Sequence, residues 1–217
     1  MGRCRFECLL TCIFAFATLV SAQQPQAEHH SSIWEPPTIV GFPDSVKATI
    51  PKPMIAKLRI AELPVILEET ELAAVQARLG GTIGSRGDAG DALQWLCFHG
   101  VSSGRNWVLW LMSSEIDGGT VGGLRWQSVS EPVSFDVRCQ TLRGSVAFPV
   151  DIKPGVSGSD VVRAFGQPSS KSANALFYLH EHDENIHNQP YTAMNTLEVL
   201  LRDGVVWTIE LWKSTTS

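Results

Sequence analysis

The stretch from Leu58 to Trp126 and the stretch from Leu142 to Trp212 spell one pattern twice, and no other feature constrains the fold of this chain as much. Leu58-Arg59 followed by Leu63-Pro64-Val65 answers to Leu142-Arg143 followed by Phe148-Pro149-Val150. Val75 and Leu79-Gly80 answer to Val161 and Phe165-Gly166, a spacing of 86 residues (166 − 80). Ala92-Leu93-Gln94-Trp95-Leu96 aligns with Ala175-Leu176-Phe177-Tyr178-Leu179 at a spacing of 83 (175 − 92). Asp117-Gly118 and Trp126 align with Asp203-Gly204 and Trp212. Blocks in the same order, with small insertions confined to loop-like segments, predict two similar folding units.

Processing and composition bound what those units can be. Arg3 and Arg5, an apolar run from Leu9 to Val20 and a small-residue ending at Ala22 form the three regions of a secretory signal, so residues 1–22 are expected to be removed near Ala22 and the protein to be secreted or periplasmic. The apolar run is too short to span a bilayer comfortably. Cys4, Cys8 and Cys12 fall inside the signal, and only Cys97 and Cys139 remain. An even pair in an exported chain predicts a disulfide between them; two separate buried thiols are the alternative. The whole chain carries a formal charge of −5, and loss of Arg3, Arg5 and Glu7 makes it one unit more negative. It has no basic block of the kind that nucleic acid or anionic lipid requires. A protein, peptide, glycan or small molecule is therefore the expected partner, an extracytoplasmic protein first among them.

The local grammar gives an α+β fold in which each unit packs a short helix, or a helix-loop-helix, on an antiparallel sheet of three to four strands. Residues 23–53, rich in Pro and polar side chains, read as an extended leader; 54–138 form the first unit and 139–217 the second. Leu72, Val75 and Leu79 recur at helical spacing before Gly80, a C-terminal cap residue. In the second unit Ser157 stands as N-cap, Val161, Val162 and Phe165 are apolar, and Gly166 precedes Pro168. Strands are expected over Ala92 to His99, Asn106 to Ser113, Val121 to Val129, Ala175 to His182, Thr196 to Arg202 and Val205 to Lys213. Asp203-Gly204 predicts a tight hairpin, and Val133 to Cys139 a strand bridging the units.

The second copy resembles the SmpA/OmlA (BamE-like) domain. The resemblance rests on Ile152-Lys153-Pro154-Gly155-Val156-Ser157, then Asp160-Val161-Val162, Phe165-Gly166-Gln167-Pro168, Phe177-Tyr178 and a terminal hairpin about an Asp-Gly turn. Two such helix-plus-sheet units in tandem are similar to the architecture of the secreted β-lactamase-inhibitory proteins, which implies a BLIP-like, non-enzymatic binding role. The first copy departs from the pattern, with Gly80-Gly81 where it has Gly-x-Pro.

Strand alternation then locates a candidate surface. Leu96 and Phe98 point one way, and Trp95, Cys97 and His99 the other; Leu179 opposes Tyr178, His180 and His182. The aromatic and polar set is expected on the face away from the helices, joined by Trp110, Met112 and Trp126 and by Glu198, Arg202, Glu210 and Trp212. Large aromatics on an open sheet suit protein recognition, because they bury much area at little entropic cost.

Signals for catalysis are weak. Gly155-Val156-Ser157-Gly158-Ser159 lacks the G-x-S-x-G spacing, and Gly118-Gly119 with Gly122-Gly123 lacks the Lys-Ser/Thr of a phosphate loop. His180 and His182 share a strand face and, with His187 nearby, form the weak metal candidate. The sequence thus reads as a binding or inhibitor-type protein, not an enzyme, with no cofactor; a metal- or small-ligand-binding protein centred on His180 and His182 is the alternative.

Overall fold

The structure, a computed structural model, describes residues 32–38, 46–48, 55–130, 133–186 and 189–216. The residues of the expected signal, His187 and most of the expected leader lie outside the described residues. Among the described residues, twelve strands and two α-helices follow in chain order. They are β1 (Lys57–Ile60), β2 (Leu63–Ile66), α1 (Leu72–Leu79), β3 (Gly84–Arg86), β4 (Leu93–Ser102), β5 (Arg105–Ser114), β6 (Gly123–Val129), β7 (Gln140–Thr141), β8 (Val146–Ala147), α2 (Gly158–Phe165), β9 (Ser170–Lys171), β10 (Ala175–Ile186), β11 (Gln189–Arg202) and β12 (Val205–Thr216). The arrangement is α+β and mostly antiparallel.

One sheet runs β3-β4-β5-β6-β12-β11-β10-β9, with β7 added in parallel beside β4, and a small β2-β1-β8 sheet stands apart. The halves meet where β6 pairs with β12, Leu124 opposite Leu211 and Trp126 opposite Ile209. On the helix side, Leu96, Leu111, Leu124, Leu211, Leu197 and Tyr178 form one continuous cross-strand row. They share a core with Leu72 and Val75 of α1, Val161 of α2 and Leu58 and Val65 of the small sheet. Burial of these side chains, each contributing about 1.5–3 kcal/mol, is what holds the helices on the sheet.

Both helices end as expected. Gly80 and Gly166 have φ of 79° and 83°, where a Cβ would be strained, and their N–H groups close the last turns onto Gln76 and Val162. Ser157 Oγ accepts from Asp160 N at 3.1 Å, the N-cap read from the sequence. Corresponding backbone bonds tie each helix start to the hairpin behind it. Leu72 N donates to Gly119 O and Val121 N to Thr70 O, as Gly158 N donates to Gly204 O and Val206 N to Val156 O.

The expected strand from Val133 to Cys139 is not formed. Phe135 makes only an isolated parallel bridge with Ile33, because this segment serves to fasten part of the leader. Residues 32–38 lie across the sheet face opposite the helices, where Trp34, Leu93, Trp95, Val108, Trp110 and Met112 form a second apolar core. Trp110 Nε1 donates to Trp34 O at 3.0 Å, Arg86 Nη1 to Pro36 O at 2.8 Å, and Arg138 stacks 4.5 Å over the Trp34 ring.

The disulfide expected from the cysteine count is present. Cys97, on β4, bonds Cys139 with a Cα–Cα distance of 4.6 Å and a sequence separation of 42. It pins the 133–141 segment to the sheet and, through Phe135, helps hold Ile33. Replacing both cysteines by serine is expected to lower stability by about 2–4 kcal/mol, read as a lower urea midpoint. Equal midpoints for variant and wild type would rule out a stabilising bridge.

Candidate recognition face

The sheet face away from the helices divides at the β6–β12 seam. In the first half, Trp95, Trp110 and Met112 do point away from the helices, but they are only 1%, 2% and 1% exposed because Trp34 closes over them. Their expected availability to a partner is corrected by the leader's own contacts. His99 lies at the rim of this core, stacked on Phe135 at 4.1 Å, with Nε2 3.0 Å from Thr141 Oγ1. Burial lowers its pKa, and it lines an open cavity of about 560 Å³ with Val133, Asn106 and Leu142.

Trp126, Tyr178, His180 and His182 lie on the helix side instead, and the cause is a single-residue slip. Leu96 and Phe98 face the helices, as do Leu176 and Tyr178, so Trp95 and Tyr178 cannot be equivalent. With a strand period of two, an odd error in alignment reverses every side chain. The end of each half shows the same slip. Glu71 bridges Thr120 but Ser157 bridges Val205, a separation of 49 residues (120 − 71) in the first half against 48 (205 − 157) in the second. Trp126 therefore packs edge-on against Trp107 under the helices, while Trp212 faces the other way. Tyr178 donates to Gly166 O at 3.3 Å, and burial pushes its phenol up to about 12.

His180 and His182 share a face, as expected, with ring centroids 4.7 Å apart. It is the helix-side face, beside buried Asn195. Among the described residues, no group of three His, Cys, Asp or Glu side chains is placed to hold a metal ion.

The second half of the outer face carries the polar chemistry. Arg125, Glu210 and Glu198 stand side by side on β6, β12 and β11, continuing the row that begins with Cys97 and Trp110 and ends with Phe177. Arg125 Nη1 lies 3.3 Å from Glu210 Oε2, both side chains being buried. This ion pair lacks hydrogen-bond geometry, and Arg125 Nε is also buried without a hydrogen bond. Trp212 Nε1 donates to the other Glu210 oxygen at 3.1 Å. The Trp212 ring lies over Gly123, where a Cβ would collide with it, so the glycine lets an indole cross the seam between the halves. Beside it, Trp212, Met194, Thr196, Ser114, Ile116 and Asp117 help line a largely apolar cavity of about 220 Å³. Ile116 at its rim is 74% exposed. Arg202, also expected on this face, is exposed and stacks 3.7 Å over Trp207.

Burial raises the pKa of Glu210, opposed by Arg125; burial and then the charge of Glu210 raise that of Glu198. A carboxyl whose folded pKa is raised contributes stability fully below its unfolded value and loses it as pH climbs through the raised value. Glu198→Gln is therefore expected to raise the melting temperature relative to wild type at pH 7 and not at pH 4. The gain stays below about 1 kcal/mol, because Glu198 is only half-buried and solvent screens the repulsion. An equal shift at both pH values would contradict this assignment.

The leader's Trp34 and the Arg125–Glu210 pair were not singled out in the sequence. Ile33-Trp34, an apolar pair in a polar Pro-rich stretch, was the available signal for the first; nothing local signals the second, which depends on pairing across the seam. Among the described residues no helix is long and apolar enough to cross a membrane. Comparison with family models, with curated proteins and with solved structures returned no match, so the functional reading rests on this chain's own residues.

Proposed function

We propose that this chain is an exported, non-enzymatic binding protein of the inhibitor or envelope-scaffold type, built from two repeated SmpA/OmlA-like units in a BLIP-like arrangement. Its partner is a protein outside the cytoplasm, gripped by the outer face of β10, β11 and β12. The observation that carries this reading is the division of the outer face. The chain's own Trp34 closes one half, while the other leaves Trp212 and Met194 partly exposed beside an apolar cavity and the half-buried Glu198. An aromatic anchor next to a small apolar pocket, ringed by charge, is the usual composition of a binding hot spot. The recurrence of helix caps and cap-to-hairpin hydrogen bonds in both halves supports the two-unit reading. The acidic bias of the face favours a basic surface on the partner.

Affinity capture with the mature protein tests this. Trp212→Ala and Met194→Ala together are expected to weaken capture of a defined partner at least about tenfold, the range of a modest hot spot, with an unchanged circular dichroism spectrum. Undiminished capture by the folded double variant would reject the face.

A further inference from the structure

We infer that the outer edge of β10, from Glu181 to Asn185, is an acceptor for strand addition by an extended basic segment of another protein. This goes beyond the recognition face above, because it uses the rim of the sheet and its backbone rather than the Trp212 pocket.

The two rims of the large sheet are finished differently. At one rim, β3 covers Leu93–Trp95 of β4, and β7 then adds in parallel opposite Phe98 and His99. The chain thus fills that edge with its own strands. At the other rim, β9 covers only Leu176 and Phe177 of β10, and the Ser169 hydroxyl takes the N–H of Leu179. Beyond Leu179, β10 continues to Ile186, paired with β11 along its whole length. Among the described residues no strand lies on its outer side.

Which backbone groups point off this edge follows from the ladder. In an antiparallel pair, residues alternate between bonding the partner strand and facing away from it. Ala175 O accepts from Ser172 N outside the β10–β11 ladder, and Leu179 N donates to Ser169 outside it. The register runs from Ala175 to Ile186 without a shift. The N–H and C=O of Glu181, Asp183 and Asn185 therefore face outward, an open row of donors and acceptors.

The side chains select the occupant. Glu181 and Asp183 are both exposed and project on the same face, two positions apart. Neither forms an ion pair among the described residues, and the hydrogen bond Asp183 makes is a long one of 3.5 Å from Thr192 Oγ1. A second copy docked antiparallel on this edge would bring carboxylates against carboxylates, which is unfavourable. An incoming strand with Lys or Arg at alternate positions places its cations against both carboxylates while its backbone completes the ladder.

The probe is an acetylated nine-residue peptide of alternating Lys and Thr, added to the isotope-labelled mature protein and followed by amide exchange. The peptide is expected to slow exchange of the Glu181, Asp183 and Asn185 amides by about tenfold or more, as completed ladder bonds require. Glu181→Lys with Asp183→Lys should abolish that protection, and a peptide N-methylated at alternate residues should give none. Trp212→Ala should leave it intact, so failure here and failure of the recognition face are separable. Equal binding of the methylated peptide, protection located elsewhere, absence of protection, or dimerisation through β10 would each overturn the inference.

Discussion

Trp34→Ala is expected to destabilise the protein by about 3–5 kcal/mol, the cost of emptying a buried indole site. That is a large effect for a residue in a Pro-rich leader, where surface substitutions usually change stability by less than about 0.5 kcal/mol. The expectation follows from contacts on every side of the ring. Trp34 is 6% exposed, lies 5.7 Å from the Trp95 ring, and is covered by Arg138. Its carbonyl also satisfies the buried Trp110 indole, and Ile33 exchanges backbone bonds with Ser134 and Asp136. Loss of the ring should open the second core to water, so native-state tryptophan emission should shift to longer wavelength as well. A near-neutral change in denaturation midpoint would mean that the leader does not close this face.

The second large effect concerns the ion pair at the seam. Glu210→Leu alone leaves Arg125 buried without its counter-ion and is expected to cost about 3–5 kcal/mol. Arg125→Met combined with Glu210→Leu removes both charges and their desolvation, and should cost much less than Glu210→Leu alone. A double variant at least as unstable as the sum of the singles would contradict the assignment of Arg125 and Glu210 as a coupled, desolvated pair.

What was legible in the sequence, and what was not, divides along the range of the interactions. Helix caps at Gly80, Ser157 and Gly166, the Asp203-Gly204 hairpin and the strands with clear alternation are local, and they appear where expected. The disulfide followed from the two cysteines left outside the expected signal. The face of each strand did not follow, because a repeat alignment tolerates an error of one residue whereas a pleated strand does not. Trp95 and Tyr178 align by type yet sit on opposite faces, and Trp126 and Trp212 do the same. Short strands such as β1, β2 and β3 are too brief to carry a period. The closing of the first half by Ile33 and Trp34 is a contact with Trp110, far along the chain, and no local pattern encodes it.

The most direct measurement of the proposed recognition face is site-specific photo-crosslinking of the protein. A photo-reactive phenylalanine analogue at Met194 or Trp212 should yield adducts with one protein partner. The same group at Arg78 of α1 or Arg163 of α2, on the opposite side of the sheet, should yield none. Adducts confined to the helix-side positions would contradict the account.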